Sequence, residues 1–134
     1  MDDRLTVLQN VYDDIIAHAR SLTPIESCGY LAGKGQQIDH LYKMTNIDNE
    51  PDHFSFEPKE QFAVVKDARK NGWDLLAVYH SHPESPARPS KEDLNLLKDP
   101  NMIYVIVSLM ADTPDIKAFR LHDNNISSVT IEIQ

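Results

Sequence analysis

Apolar residues at Leu8, Val11, Tyr12, Ile15, Ala19 and Leu22 recur at the spacing of one helical face. The pattern predicts an amphipathic helix from about Leu8 to Leu22, and Pro24 stops it. Cys28 to Ala32 is a short apolar run, and Gly33-Lys34-Gly35 reads as a turn into a second strand, Gln37 to Met44. His53 to Phe56 alternates as another short strand would. Pro58 then suits the first turn of a helix, which Phe62, Val65 and Ala68-Arg69 continue to a stop at Asn71-Gly72. Within Trp73 to His82, the run Leu75-Leu76-Ala77-Val78-Tyr79 fits a strand buried on both faces. A proline-rich loop follows from Pro83 to Pro89. Ser90-Lys91-Glu92-Asp93 then has the form of a capping box opening a helix through Leu94 and Leu97. Met102 to Leu109 is a second buried strand. Ile116 to Leu121 and Ile126 to Ile133 form a closing pair around Asp123-Asn124-Asn125. No repeat, low-complexity segment or linker interrupts the chain, so residues 1–134 are expected to form one domain. The irregular mixture of elements points to an α/β (α+β) fold, with helices packed on a central mixed sheet.

Composition narrows the function classes. The 134 residues include 41% hydrophobic and 25% charged positions, ordinary globular usage that argues against disorder. The formal charge of -8 opposes binding to nucleic acid and to anionic membrane. A single cysteine, Cys28, precludes an intrachain disulfide, and its apolar surroundings mark it as a packing residue rather than a nucleophile. The opening MDDRLTVLQN lacks the charged and apolar regions of a signal peptide, and no apolar run approaches the ~20 residues of a membrane span. A cytoplasmic protein is expected.

The chemistry concentrates in His80-Ser81-His82-Pro83, with Ser90 and Asp93 beyond. Positions i and i+2 of a strand share a face, so His80 and His82 can reach one ion while Ser81 points away. Asp93 lies across a loop stiffened by Pro83, Pro86 and Pro89, in the first turn of the next helix. Two imidazoles and a carboxylate leave the fourth zinc position open, as catalytic sites do. That position suits water, and a carboxylate base must then move its proton. Glu26 is a candidate because it directly precedes the apolar strand at Cys28; spacing alone does not select it from the other acids. Taken by themselves, Ser90 and Asp93 are fully explained as a helix cap. A Ser81-based triad is disfavoured by the outward direction of Ser81. His18, His40, His53 and His122 are scattered, and each reads as structural or solvent-facing. The glycine-rich stretch from Gly29 to Gly35 is one residue short of a phosphate-binding loop and lacks its Ser or Thr.

With these residues placed, the chain resembles the JAMM (MPN+) metalloprotease family. The family pattern is a glutamate, then H-[ST]-H-P, a serine seven residues on and an aspartate three after that. Glu26, His80-Ser81-His82-Pro83, Ser90 and Asp93 match every position. The stretch Pro24-Ile25-Glu26-Ser27-Cys28-Gly29-Tyr30-Leu31-Ala32-Gly33 and the segment Phe54-Ser55-Phe56-Glu57-Pro58 are also similar to family sequence. The resemblance implies one Zn2+ held by His80, His82 and Asp93. It further implies Glu26 as general base and acid toward water on the metal, and Ser90 as a donor to the oxyanion. The implied fold is a curved mixed β-sheet flanked by helices, the JAMM/MPN (cytidine deaminase-like) fold. The implied substrates are peptide or isopeptide bonds after the C-terminal Gly-Gly of a ubiquitin-like protein. Compact stand-alone prokaryotic members act on sulfur carrier proteins, and a diglycine tail suits a narrow groove. The competing reading is a non-enzymatic MPN-type module that binds a protein tail, and a third is a hydrolase of small amides or nucleic acid.

Overall fold

The computed structural model describes residues 3–122 and 125–134. Its elements are β1 (Arg4–Val7), α1 (Gln9–Leu22), β2 (Cys28–Lys34), β3 (Gln37–Met44) and α2 (Pro58–Asn71). They continue with β4 (Asp74–His82), α3 (Lys91–Leu96), β5 (Ile103–Ser108), β6 (Asp115–His122) and β7 (Asn125–Ile133). The class is α+β, with a mixed sheet in the order β1-β3-β2-β4-β5-β6-β7 that closes into a barrel. β1 makes the closure, running parallel to both β3 and β7.

Expectation and structure differ in three places. β1 has no counterpart in the sequence reading; its Leu5 and Val7 are buried with Thr6 between them, a period-two signal too short to stand out. His53 to Phe56 forms no strand, only a single bridge between Asn46 and Phe56. There the Asn46 side chain takes bonds that a neighbouring strand would supply. β2 runs on through Gly33 and Lys34, and the turn begins at Gly35, whose φ of 64° suits a residue without a side chain. Of the turn expected before Ile126, Asp123 and Asn124 lie outside the described residues.

The helix ends follow their sequence signals, but Phe62, expected on the apolar stripe of α2, is 67% exposed, and Val64 and Ala68 are the residues that α2 buries. Glu57 caps α2 by accepting from Glu60 N at 2.8 Å, Pro58 occupies the first turn, and Gly72 closes the helix in the left-handed region at φ 74°. α1 buries Val11, Ile15, Ile16 and Ala19. Along β4, Ala77 and Tyr79 join the apolar cluster that α1 covers, whereas Val78 joins the one containing Val64 of α2. By that alternation His80 and His82 face the α2 side. β4 is paired on both flanks, antiparallel to β2 and parallel to β5, which makes it a rigid carrier for side chains at its end.

Gly29 of β2 marks the tightest packing beside that carrier. A Cβ there would lie 2.2 Å from the Tyr42 carbonyl oxygen and 2.4 Å from Tyr79 Cε1. Tyr79 itself is fully buried, and its hydroxyl is 2.7 Å from His18 Nδ1. Gly29→Ala is therefore expected to lower stability by about 1–3 kcal/mol, read from the urea midpoint. An unshifted midpoint would mean that the Tyr79 ring yields freely.

Candidate metal centre

β4 ends at His82, before Pro83, which has no N–H to extend the ladder. His80 is wholly buried, and His82 and Asp93 are 2% and 3% exposed. Their ligand atoms form an equilateral triangle: His80 Nε2 to His82 Nε2, His80 Nε2 to Asp93 Oδ2 and His82 Nε2 to Asp93 Oδ2 are each 3.1 Å. Three ligands of a tetrahedral zinc, bonded at 2.0–2.1 Å, are separated by about 3.3–3.4 Å. The observed edges are close to that, so the three side chains could hold one metal ion.

Proton counting supports the fit. His82 Nδ1 lies 2.8 Å from the Pro86 carbonyl oxygen, which only accepts, so Nδ1 carries the proton and Nε2 presents a lone pair to the triangle. Asp93 Oδ2 is also an acceptor. With both rings neutral, at most one N–H, on His80, can enter a space bounded by three electron-rich atoms, and a cation relieves that deficit. His80 Nδ1 has no hydrogen-bond partner although buried, as expected if its ring is oriented by Nε2. Burial lowers the pKa of His80 and keeps it neutral. Burial pulls His82 down too, but the Asp93 carboxylate and the Pro86 carbonyl favour its charged form and raise it on balance. Burial opposes ionisation of Asp93, yet the two imidazoles hold its carboxyl well below the usual carboxylate range.

α3 brings Asp93 to this point through its cap. Ser90 Oγ accepts from Asp93 N at 3.0 Å, and Asp93 Oδ2 accepts from Ser90 N at 2.9 Å, a reciprocal capping box. The oxygen that caps is the same one that faces the imidazoles. The Ser90 hydroxyl spends a lone pair on the cap and keeps its own proton for a further acceptor. The proline loop is held independently: Ser108 Oγ donates to the Ser85 carbonyl oxygen at 2.6 Å, beside the Pro86 carbonyl.

Glu26 lies two residues before β2, whose register with β4 leads it toward this group. Cys28 pairs with His80, and Ser27 and Ser81 are joined by Ser81 N to Ser27 O (3.0 Å) and Ser27 N to Ser81 Oγ (2.8 Å). The Ser81 hydroxyl is thereby committed to backbone, in keeping with its expected direction. Glu26 is 2% exposed, and its Oε1 has no hydrogen-bond partner. Burial first, then the charges of Asp93, Asp52 and Glu92, push its pKa up to about 9. Cys28 is fully buried and pushed up to about 12 by burial and Glu26, which suits packing and not nucleophilic work.

The sequence reading missed three participants. The Phe54 ring stacks on His80 with centroids 4.9 Å apart and 28° between planes. The Pro86 carbonyl and Ser108 orient His82 from outside the motif. Only Pro86 left a trace, in the proline spacing of the loop. Of the remaining histidines, His18 bonds Tyr79 and His53 bonds Asp48 at 3.0 Å, both structural pairings.

Residues 8–122 match the family model for prokaryotic homologs of the JAB domain. The chain belongs to this family. A desampylase of Haloferax volcanii is 31% identical over 112 residues, covering 78% of this chain and 81% of that protein. The CysO-cysteine peptidase of Mycobacterium tuberculosis is 26% identical over 132 residues, with coverage of 96% and 90%. Among solved structures, a Desulfitobacterium hafniense protein superposes with a TM-score of 0.89 at 39% identity, covering 97% of this chain and 92% of its own. A JAB1/MPN domain protein of Archaeoglobus fulgidus shares the fold, with a TM-score of 0.67 at 20% identity and 98% coverage of both chains. The JAB-family member described here thus has the fold and family that its motif implied.

The raised Glu26 value gives a pH signature in metal-stripped protein. Between pH 7 and 9 the folded carboxyl keeps its proton, whereas the unfolded one, near 4.5, has lost it. Folding then binds more protons than unfolding does, so stability falls as pH rises through this window. Asp93, depressed from 3.8, acts only in acid and with the opposite sign. Glu26→Gln should therefore gain stability relative to the parent from pH 7 to 9, by at most about 1.4 kcal/mol per unit. Parallel urea titrations with a constant difference would place Glu26 in a more solvated setting.

Proposed function

We propose that the protein is a zinc-dependent metallopeptidase that hydrolyses a peptide or isopeptide bond after the C-terminal Gly-Gly of a ubiquitin-like or sulfur carrier protein. The observation that carries this reading is the 3.1 Å triangle of His80, His82 and Asp93, with the unpartnered carboxyl of Glu26 buried beside it. His80, His82 and Asp93 would hold one zinc ion. When bound, zinc supplies Lewis acidity toward water and a peptide carbonyl, lowering the pKa of water from about 16 to about 7. Glu26 takes the proton from the attacking water and returns it to the leaving amine as the C–N bond breaks, giving a carboxylate and an amine. A positive charge in the triangle brings the Glu26 pKa down, which readies it as a base at neutral pH. The Ser90 O–H, left over from the cap, donates to the oxygen that gains negative charge at the scissile carbonyl.

Support for the substrate class comes from relatives named for cleaving such carriers: the desampylase, the CysO-cysteine peptidase and a probable TtuB-protein conjugate cleaving protease of Thermus thermophilus. A diglycine segment carries no side chain, so its backbone can pass close to groups as buried as His80, His82 and Asp93.

The test is zinc-loaded protein with a β-grasp carrier extended beyond Gly-Gly, the products read by mass spectrometry. Release of the extension, its loss on chelation and its return with zinc are expected. Retention of the carrier without turnover on any tail would make the protein a binding module. Glu26→Gln should keep one zinc per chain while kcat falls by about 10²–10⁴. Asp93→Ala should lose zinc and also about 1 kcal/mol of cap stability in metal-free protein. Full metal content in that variant would reduce Asp93 to a helix cap.

A further inference from the structure

Asn46, just beyond the end of β3, is 7% exposed and outside the sequence motif. Its side chain uses its complete hydrogen-bonding capacity. Nδ2 donates to the Glu26 carbonyl oxygen at 3.1 Å and to the His53 carbonyl oxygen at 3.0 Å. Oδ1 accepts from Asp48 N at 3.0 Å and Ser55 N at 3.3 Å. Glu26 N donates to the Glu50 carbonyl oxygen at 3.0 Å. Both peptide groups of Glu26 are thus fixed by the 46–56 segment, before β2 begins. The same segment supplies Phe54, which stacks on His80. Glu26 has no side-chain partner at Oε1 to hold it in place, so its aim depends on its backbone.

We infer that Asn46 is a positioning residue: it clamps the Glu26 backbone and the Phe54 wall into one unit and so aims the Glu26 carboxyl at the reacting water. This rests on the reading of Glu26 as the proton carrier. The Asn46 amide is suited to the task because it offers two donors to two carbonyls and one acceptor to two N–H groups. Aspartate keeps the acceptor and loses both donors. Serine offers one donor in place of two, on a shorter side chain.

The experiment uses zinc-loaded protein and a carrier extended beyond Gly-Gly. Asn46→Asp and Asn46→Ser are expected to bind one zinc per chain and keep KM within about 2-fold, while kcat falls about 10- to 100-fold. Added to Glu26→Gln, Asn46→Asp should cause no further loss, since both act through one carboxyl. Unchanged kcat in the Asn46 variants, or losses that multiply in the double variant, would overturn the inference and leave the proposed function standing. Full activity of Glu26→Gln would remove the proposed mechanism and this inference together. In the unmutated protein, NMR should show the two Asn46 side-chain amide protons protected from solvent exchange. Exchange at the rate of a free amide would equally overturn it, whether or not the variants fold.

Discussion

Asp93 Oδ2 is the atom on which the site depends. It closes the first turn of α3 by accepting from Ser90 N, and it stands 3.1 Å from both imidazole Nε2 atoms. A helix of six residues has little stability of its own, so its start is set by that cap. The position of α3 and the shape of the triangle are therefore one geometric fact. An isolated carboxylate at 3% exposure would be expensive to ionise; the two rings and the capped N–H make the anion the favoured form.

The strand that presents the rings is equally constrained. β4 is flanked by β2 and β5, and its alternate residues enter two apolar clusters, one beneath α1 and one beside α2. Backbone movement at His80 would require breaking a doubly paired ladder, and rotation of its ring is opposed by complete burial and by the Phe54 stack. Two carbonyls complete the arrangement from outside the strand: Pro86 fixes the tautomer of His82, and Glu26 is fixed through its own carbonyl by Asn46. Backbone groups here act as orienting elements, and they carry no side-chain signature.

That difference explains how much the sequence revealed. α1, β4 and β5 followed from hydrophobic periodicity, because each buries a stripe or a face whose spacing is written in residue type. α2 followed from its end signals Pro58 and Gly72 and β3 from the turn before it, since Phe62, read into the α2 stripe, is 67% exposed. The triangle followed from the alternation in His80-Ser81-His82 and from the overlap of ligand and cap at Asp93. β1 was missed because four residues give too few alternations, although its partners β3 and β7 make it indispensable to the closed sheet. Closure itself depends on pairing between residues far apart in the chain, which periodicity does not encode. His53 to Phe56 was read as a strand because its alternation is genuine, but Asn46 satisfies the backbone there by side-chain bonds. Phe54 and Asn46 were invisible as site residues, since one looks like core and the other like loop.

The closed sheet has a consequence of another kind. An open sheet exposes two rows of unsatisfied peptide groups, and these invite a second chain to continue the ladder. Here β1 occupies both rows, yet it matches β3 only at Thr6 with Gln37 and Val7 with Ile38, against four residue pairs with β7. That two-rung seam is the weakest join in the ring. Parting there would bare the edge of β3, separated by β2 alone from β4 and its two histidines in the sheet order.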